Sequence, residues 1–211
     1  MRYCKKMHNI LRSILAGLAI ILLNYSVAQA DGIFLRKVEI RLIEEGYQLT
    51  ANFDIKLNPV VEDALTHGIT INFLSEFTLT RSRWYWLNEV ASKTELNTKL
   101  SYSALTRQYR IKRGTLFQNF ARLEDALQSL GNQSSIPISA ELLNKNSGYI
   151  VSLITSNSDY TAYVRMRLDV SQLPKPLQVN ALTTDEWKMD SEGYSWKLVP
   201  EEIAKARKDE Q

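Results

Sequence analysis

The stretch Tyr47, Leu49, Ala51, Phe53, Ile55, Leu57 alternates without a break against Gln48, Thr50, Asn52, Asp54 and Lys56. That period of two predicts a strand with one face buried and one face wet. Before it, Val38, Ile40 and Leu42 alternate with Glu39 and Arg41, and Glu44-Glu45-Gly46 reads as a turn. Together the two segments predict an antiparallel hairpin. The period then changes. Asn58-Pro59 followed by VVEDAL predicts a short helix, with Asn58 as cap, Pro59 in the first turn and Gly68 as its end. Ile69, Ile71, Phe73, Phe77 and Leu79 resume the alternation in a strand running to about Trp86. It exceeds an ordinary strand, so a bulge near Ser75 or a bend near Arg81 is expected.

Segments 93–104 and 106–112 predict another antiparallel pair, with Leu100, Tyr102, Tyr109 and Ile111 as its apolar positions. After Gly114, the spacing of Leu116, Phe120, Leu123, Ala126, Leu127 and Leu130 predicts a helix ending at Gly131. The tetrapeptide Glu-Asp-Ala-Leu recurs at 62–65 and 124–127, and a local recurrence explains it better than duplication. The region 132–148 is rich in turn residues, with a short helix expected over 140–143. Strands are expected over 149–154 and 160–170. In the second, Tyr160, Ala162, Val164, Met166, Leu168 and Val170 face one way, and Thr161, Tyr163, Arg165, Arg167 and Asp169 the other. Pro174 and Pro176 point to an edge strand over 177–180. Two final extended pieces carry Trp187 and Trp196, split by Ser191-Glu192-Gly193. The pattern therefore predicts a mainly β chain, an antiparallel β-sandwich with two short helices.

The N-terminus breaks this pattern. Residues 1–12 hold Arg2, Lys5, Lys6 and Arg12 and no acid; an uncharged apolar run, Ile14 to Leu23, follows, and Ala28-Gln29-Ala30 closes the segment. A basic start, a short apolar core and an A-x-A site read as a signal peptide over 1–30. The apolar run is too short to span a bilayer. The expected organisation is a signal peptide at 1–30, one β-rich domain at 31–200 and a charged flexible tail at 201–211. The expected location is the periplasm, with membrane contact only through the N-terminal segment if it is retained.

Charge reads differently once that segment is set aside. The whole chain of 211 residues has 26 Lys and Arg against 23 Asp and Glu, a net charge of +3. Removing 30 residues and their four cations leaves 181 residues with 22 basic and 23 acidic groups, a net charge of −1. The case for nucleic acid as a partner is thereby lost. Cys4 and His8 leave with the segment, so the remainder has no Cys and only His67. Thiol catalysis, disulfides and Cys-ligated metal are excluded for it. No metal or cofactor is expected.

The densest chemistry lies in three basic strings: Arg81, Arg83, Trp84 and Trp86; Tyr109 and Arg110 within LTRQYRIKR; and Arg165 with Arg167. If the strands are neighbours, they form a cationic, aromatic-flanked patch for an anionic or glycan ligand, or for an envelope protein. Trp187 is a further candidate for such contact. The competing reading is that Arg stems simply cover aromatic rings on a sheet face. His67 follows a helix, where it suits the last carbonyls. There is no GxSxG, HExxH or glycine-rich phosphate loop, and no catalytic residue is assigned. The expectation is an exported binding or accessory protein, with a glycan- or cell-wall-acting hydrolase as the alternative.

Five strings taken together carry a resemblance: DALTHGITINF at 63–73, TRSRWYW at 80–86, LSYSALTRQYR at 100–110, LFQNFARLEDAL at 116–127 and RLDVSQLPKPLQVNAL at 167–182, followed by Trp187. The chain resembles a proteobacterial exported protein family, domain of unknown function 4390, over about 33–197. The resemblance implies export and an envelope location. It implies no activity, and it hints at an accessory role in envelope sensing, because members are sometimes encoded near a nitrogen-regulation-type sensor kinase. Its characteristic positions here would be Arg81, Arg83, Trp84, Trp86, Tyr102, Tyr109, Arg110, Arg167, Pro174, Pro176 and Trp187.

Overall fold

Glu44 and Glu45 turn the chain between two long antiparallel strands, β1 (Gly32–Ile43) and β2 (Gly46–Lys56). The structure, a computed structural model, describes residues 31–81, 88–138 and 160–198. The expected hairpin is present, and Ile33, Leu49, Ala51, Phe53 and Ile55 are buried on one face of it. A register shift between Leu35 and Lys37 puts Arg36 at a bulge in β1.

Helix α1 (Pro59–Thr66) begins as predicted. Asn58 Oδ1 accepts the Val61 N–H at 2.9 Å, and Pro59 occupies the first turn, where no intrahelical N–H partner exists anyway. Gly68 leaves the helix with φ +88°, which favours glycine. Strand β3 (Ile71–Arg81) follows and buries Ile71, Phe73, Ser75, Phe77 and Leu79. Of the two irregularities expected, near Ser75 or near Arg81, the break lies beside Arg81, between Leu79 and Thr80, where the register with β4 (Glu89–Ser103) skips Ala91.

β4 pairs with β5 (Gln108–Arg113), and Leu100 faces Ile111 while Tyr102 faces Tyr109. The next segment departs from expectation. Leu116 and Phe120 do not begin a helix; they bound strand β6 (Leu116–Phe120), paired antiparallel to β5. Gly114, at φ +56°, closes a tight turn that folds LFQNF back onto its neighbour. Helix α2 (Leu123–Gly131) therefore starts about two turns later than its apolar spacing implied, and buries Ala126 and Leu130. Gly131 lies so close to β2 that a Cβ there would strike the Phe53 backbone carbonyl. Both copies of the Glu-Asp-Ala-Leu string lie in helices, α1 and α2.

Strand β7 (Asn132–Ser134), which no alternation announced, pairs with β2. Strand β8 (Tyr160–Leu168) has the predicted faces: Tyr160, Ala162, Val164, Met166 and Leu168 are buried. The expected edge strand over 177–180 is a helix, α3 (Lys175–Thr183). Pro174 is its cap and Pro176 stands in its first turn, so the two prolines start a helix there and break nothing. Trp187 belongs to a 3-10 turn, Asp185–Trp187, and Trp196 to strand β9 (Tyr194–Leu198). Glu192 at φ +55° makes the turn between them.

The result is mostly β, with two sheets and three α-helices among the described residues, where two were expected. One sheet has the order β1-β2-β7, and the other β6-β5-β4-β3-β8-β9; every pairing is antiparallel. Side chains from both sheets and all three helices join one buried apolar cluster. The segments expected at 1–30, 140–143, 149–154 and 201–211 lie outside the described residues, as do Arg83, Trp84 and Trp86.

Candidate functional site

Strand parity decides where each singled-out cation goes. Arg81 continues the parity of Phe77 and Leu79 and stands opposite Tyr160, so it lies on the inner face of the six-stranded sheet. Its guanidinium binds Glu89 Oε2 at 2.6 Å. Burial works against the Arg81 charge, but the hydrogen bond and charge of Glu89, with Tyr160, outweigh it and raise the pKa above its ordinary value. Arg165 and Arg167 lie on the opposite, outer face of β8. Arg165 grips both carboxylate oxygens of Asp190, and that bidentate bond raises its pKa. Arg167 approaches Glu76 Oε1 at 3.6 Å. These three arginines are thus engaged by carboxylates within the fold.

Arg110 also points outward, from β5. Its Nε donates to Asn119 Oδ1 at 2.9 Å and its guanidinium carbon lies 5.5 Å from the Phe117 ring centre. The registers place Arg110 four residues along and three strands across from Arg167, about 20 Å away by strand geometry. Arg81, Arg110 and the Arg165–Arg167 pair therefore do not meet in one pocket. Tyr109 faces inward against Tyr102, with ring centres 4.9 Å apart, and burial raises its phenol pKa. Trp187 is 1% exposed and packs in the apolar core, so that position fills the interior rather than the surface.

A different cluster emerges around Arg110. Lys99 on β4 stands directly opposite Lys112 on β5, and Arg110 is the next outward residue along β5. All three are exposed. Their lateral and same-face neighbours are Asn72, Asn97, Ser101, Gln108, Phe117 and Asn119, with no carboxylate among them. Like charges directly opposite on a sheet are destabilising, so the fold itself does not require this pairing. The sequence pattern marked Arg110 and its string, but Lys99 was missed. Its pairing with Lys112 depends on a hairpin register that no local signal fixes.

Beside this cluster, Leu116 and Phe117 on β6 are 75% and 63% exposed. On the inner side of the same hairpin, Arg113 donates to the Ser129 and Asn132 carbonyls and ties α2 to β5. Burial pushes its guanidinium pKa down.

Two clefts flank β1. One, of about 700 Å³, lies between Ile33–Val38 and the turn Asp190–Tyr194. It carries Asp190 and Glu192, but Asp190 is held by Arg165 and is not free to act as a paired catalytic carboxylate. The other, of about 530 Å³, is lined by Arg36, Lys37, Arg41 and Asn132 among others. His67 caps α1, with Nδ1 at 2.8 Å from the Asp63 carbonyl and 3.4 Å from Asp63 Oδ1. Among the described residues, no group of three or more His, Cys, Asp or Glu is placed to hold a metal. No helix of the described residues is long and apolar enough to cross a membrane.

Fold and site together define a two-sheet antiparallel protein that presents a cationic outer face. The chain belongs to the family described as Domain of unknown function (DUF4390), whose pattern matches residues 30–197. No curated protein and no solved structure matches it.

Proposed function

We propose that this is an exported periplasmic or envelope protein, a non-catalytic binding or accessory component that recognises an anionic partner through the outer face of β4 and β5. The observation that carries the reading is the direct opposition of Lys99 and Lys112, with Arg110 beside them and, among the described residues, no carboxylate at the paired or same-face positions. Such a cluster costs stability and is relieved when anions bind. Export rests on the basic, apolar and A-x-A pattern of residues 1–30. The two sheets, whose inner faces feed one core, stack in this reading as a sandwich that holds the cationic face rigid.

Two measurements test it. Protein recovered from the periplasmic fraction should begin at Asp31 by mass; accumulation of the uncleaved chain in the cytoplasm would overturn export. Polyglutamate should bind the protein with an affinity that falls as salt rises. The triple replacement of Lys99, Arg110 and Lys112 by Ala should abolish that binding. Equal binding by the triple variant would remove the cationic face from the proposal.

A further inference from the structure

Every open sheet offers two unpaired strand edges, and natural proteins guard them with charge, bulges or brevity. Among the described residues three of the four sheet edges are guarded. β1 carries the bulge at Arg36 together with Lys37, Glu39 and Arg41; β9 carries Lys197; β7 has only 3 residues. The fourth, β6, is different. Its sequence Leu116-Phe117-Gln118-Asn119-Phe120 has no charge and no proline, and its pairing to β5 runs without a register break. Among the described residues no strand lies on its other side, and Leu116 and Phe117 are exposed. Alternate N–H and C=O groups of β6 therefore point away from β5 with no strand to meet them.

We infer that β6 is a strand-addition site for an extended acidic segment of a partner protein, which pairs with β6 as a seventh strand and turns its carboxylates to the outer face that carries Arg110 and Lys112, two strands away. This deepens the proposed function, on which it rests, by naming the partner's chemistry and its binding mode. The edge supplies the main-chain hydrogen bonds and, on its inward parity, an apolar contact with Leu116; the cations on the outer face select the charge. Charge also selects among occupants. A second copy pairing through β6 would bring two sets of Arg110 and Lys112 to the same junction, which like-charge repulsion opposes. A segment alternating acidic and apolar residues meets both features at once, because its acidic positions share the outer face.

The test uses the protein as recovered from cells and a synthetic seven-residue peptide alternating Glu with Val, alongside its Lys-Val counterpart. The Glu-Val peptide should bind, and the β6 amides that point away from β5 should gain protection from hydrogen exchange. Phe117→Glu should weaken binding about tenfold or more by setting a carboxylate on the outer face beside those of the peptide. Asn119→Glu, at the other outward position of β6, serves as a second edge variant should Phe117→Glu fold poorly. Reversal of both lysines, Lys99→Glu with Lys112→Glu, should transfer preference to the Lys-Val peptide. Peptide binding without added β6 protection overturns the strand-addition site while leaving recognition by the cationic face standing. If neither the peptide nor polyglutamate binds, the proposed function falls with it. Binding to vesicles rich in anionic phospholipid but not to the peptide, or a dimer in which the outward β6 amides are already protected without peptide, also overturns the inference.

Discussion

Lys99 and Lys112 face each other across β4 and β5 with their side chains on the solvent side of the sheet. In a purely structural sheet this pair would be selected against, since directly opposed like charges cost up to about 1 kcal/mol. Lys99→Thr should therefore raise stability by a few tenths to about 1 kcal/mol, because it removes the repulsion and adds a β-branched residue. Polyglutamate affinity should fall in the same variant. A thermal melt with a parallel binding titration reads both, and a variant that melts lower than the parent contradicts the account.

Gly131 offers a sharper packing test. The backbone carbonyl of Phe53 occupies the space that a side chain would need, so Gly131→Ala forces α2 away from β2. A loss of about 1–3 kcal/mol is expected in urea denaturation, even though Ala is the better helix former. Gly68→Ala makes the comparison. There the space is open and the cost comes only from φ +88°.

Asn58 links two elements through one side chain. Its Oδ1 caps α1 at Val61 and its Nδ2 donates to the Glu186 carbonyl, in the turn that seats Trp187. Asn58→Asp keeps the cap acceptor and loses the second bond, whereas Asn58→Ala loses both. Ala should cost about 1–2 kcal/mol and Asp less. Denaturant midpoints order the three proteins, and Asp destabilising more than Ala would refute the capping role.

The acid side of the stability curve should carry the mark of Glu39. Hydrogen bonds from Lys37 and Arg41, and their charges, outweigh burial and hold its carboxyl below the usual value. A carboxyl lowered on folding stabilises fully above its unfolded value, about 4.3, and loses that contribution as pH falls through the folded value. Glu39→Gln should thus be less stable than the parent near neutrality. The gap should close as pH drops from about 5 towards about 3. Urea titrations across that range decide it; a gap that widens on acidification would reverse the sign.

Much of this architecture is visible in the residue pattern because alternation reports half-buried strands directly. β2, β3 and β8 bury the residues their periodicity marks, and Asn58 and Gly68 bound α1 as their chemistry dictates. The misplacements have physical causes. LFQNF has no clean alternation because β6 is an edge with four of its five residues exposed, so Leu116 and Phe120 joined the helical spacing of α2 by accident. In α3, Leu177 packs on the core while Val179 and Leu182 face outward, which blurs the helical stripe and leaves the prolines as the only signal. The candidate site was legible only in part. Arg110 stood out by its aromatic-basic string. The engagement of Arg81, Arg165 and Arg167 by Glu89, Asp190 and Glu76 depends on strand pairings that bring distant acids alongside.

Strand β3 sits at the middle of the larger sheet, between β4, which follows it, and β8, which comes much later in the chain. Phe73 meets Leu168 and Phe77 meets Val164 only when that distant segment arrives. During synthesis, the first half of the sheet must wait with β3 as a bare, apolar edge. Such long-range closure is slow, and the waiting intermediate is the species most exposed to aggregation. A sheet closed this late in the chain ties the yield of folded molecules to the timing of chain delivery as well as to the stability of the finished sheet.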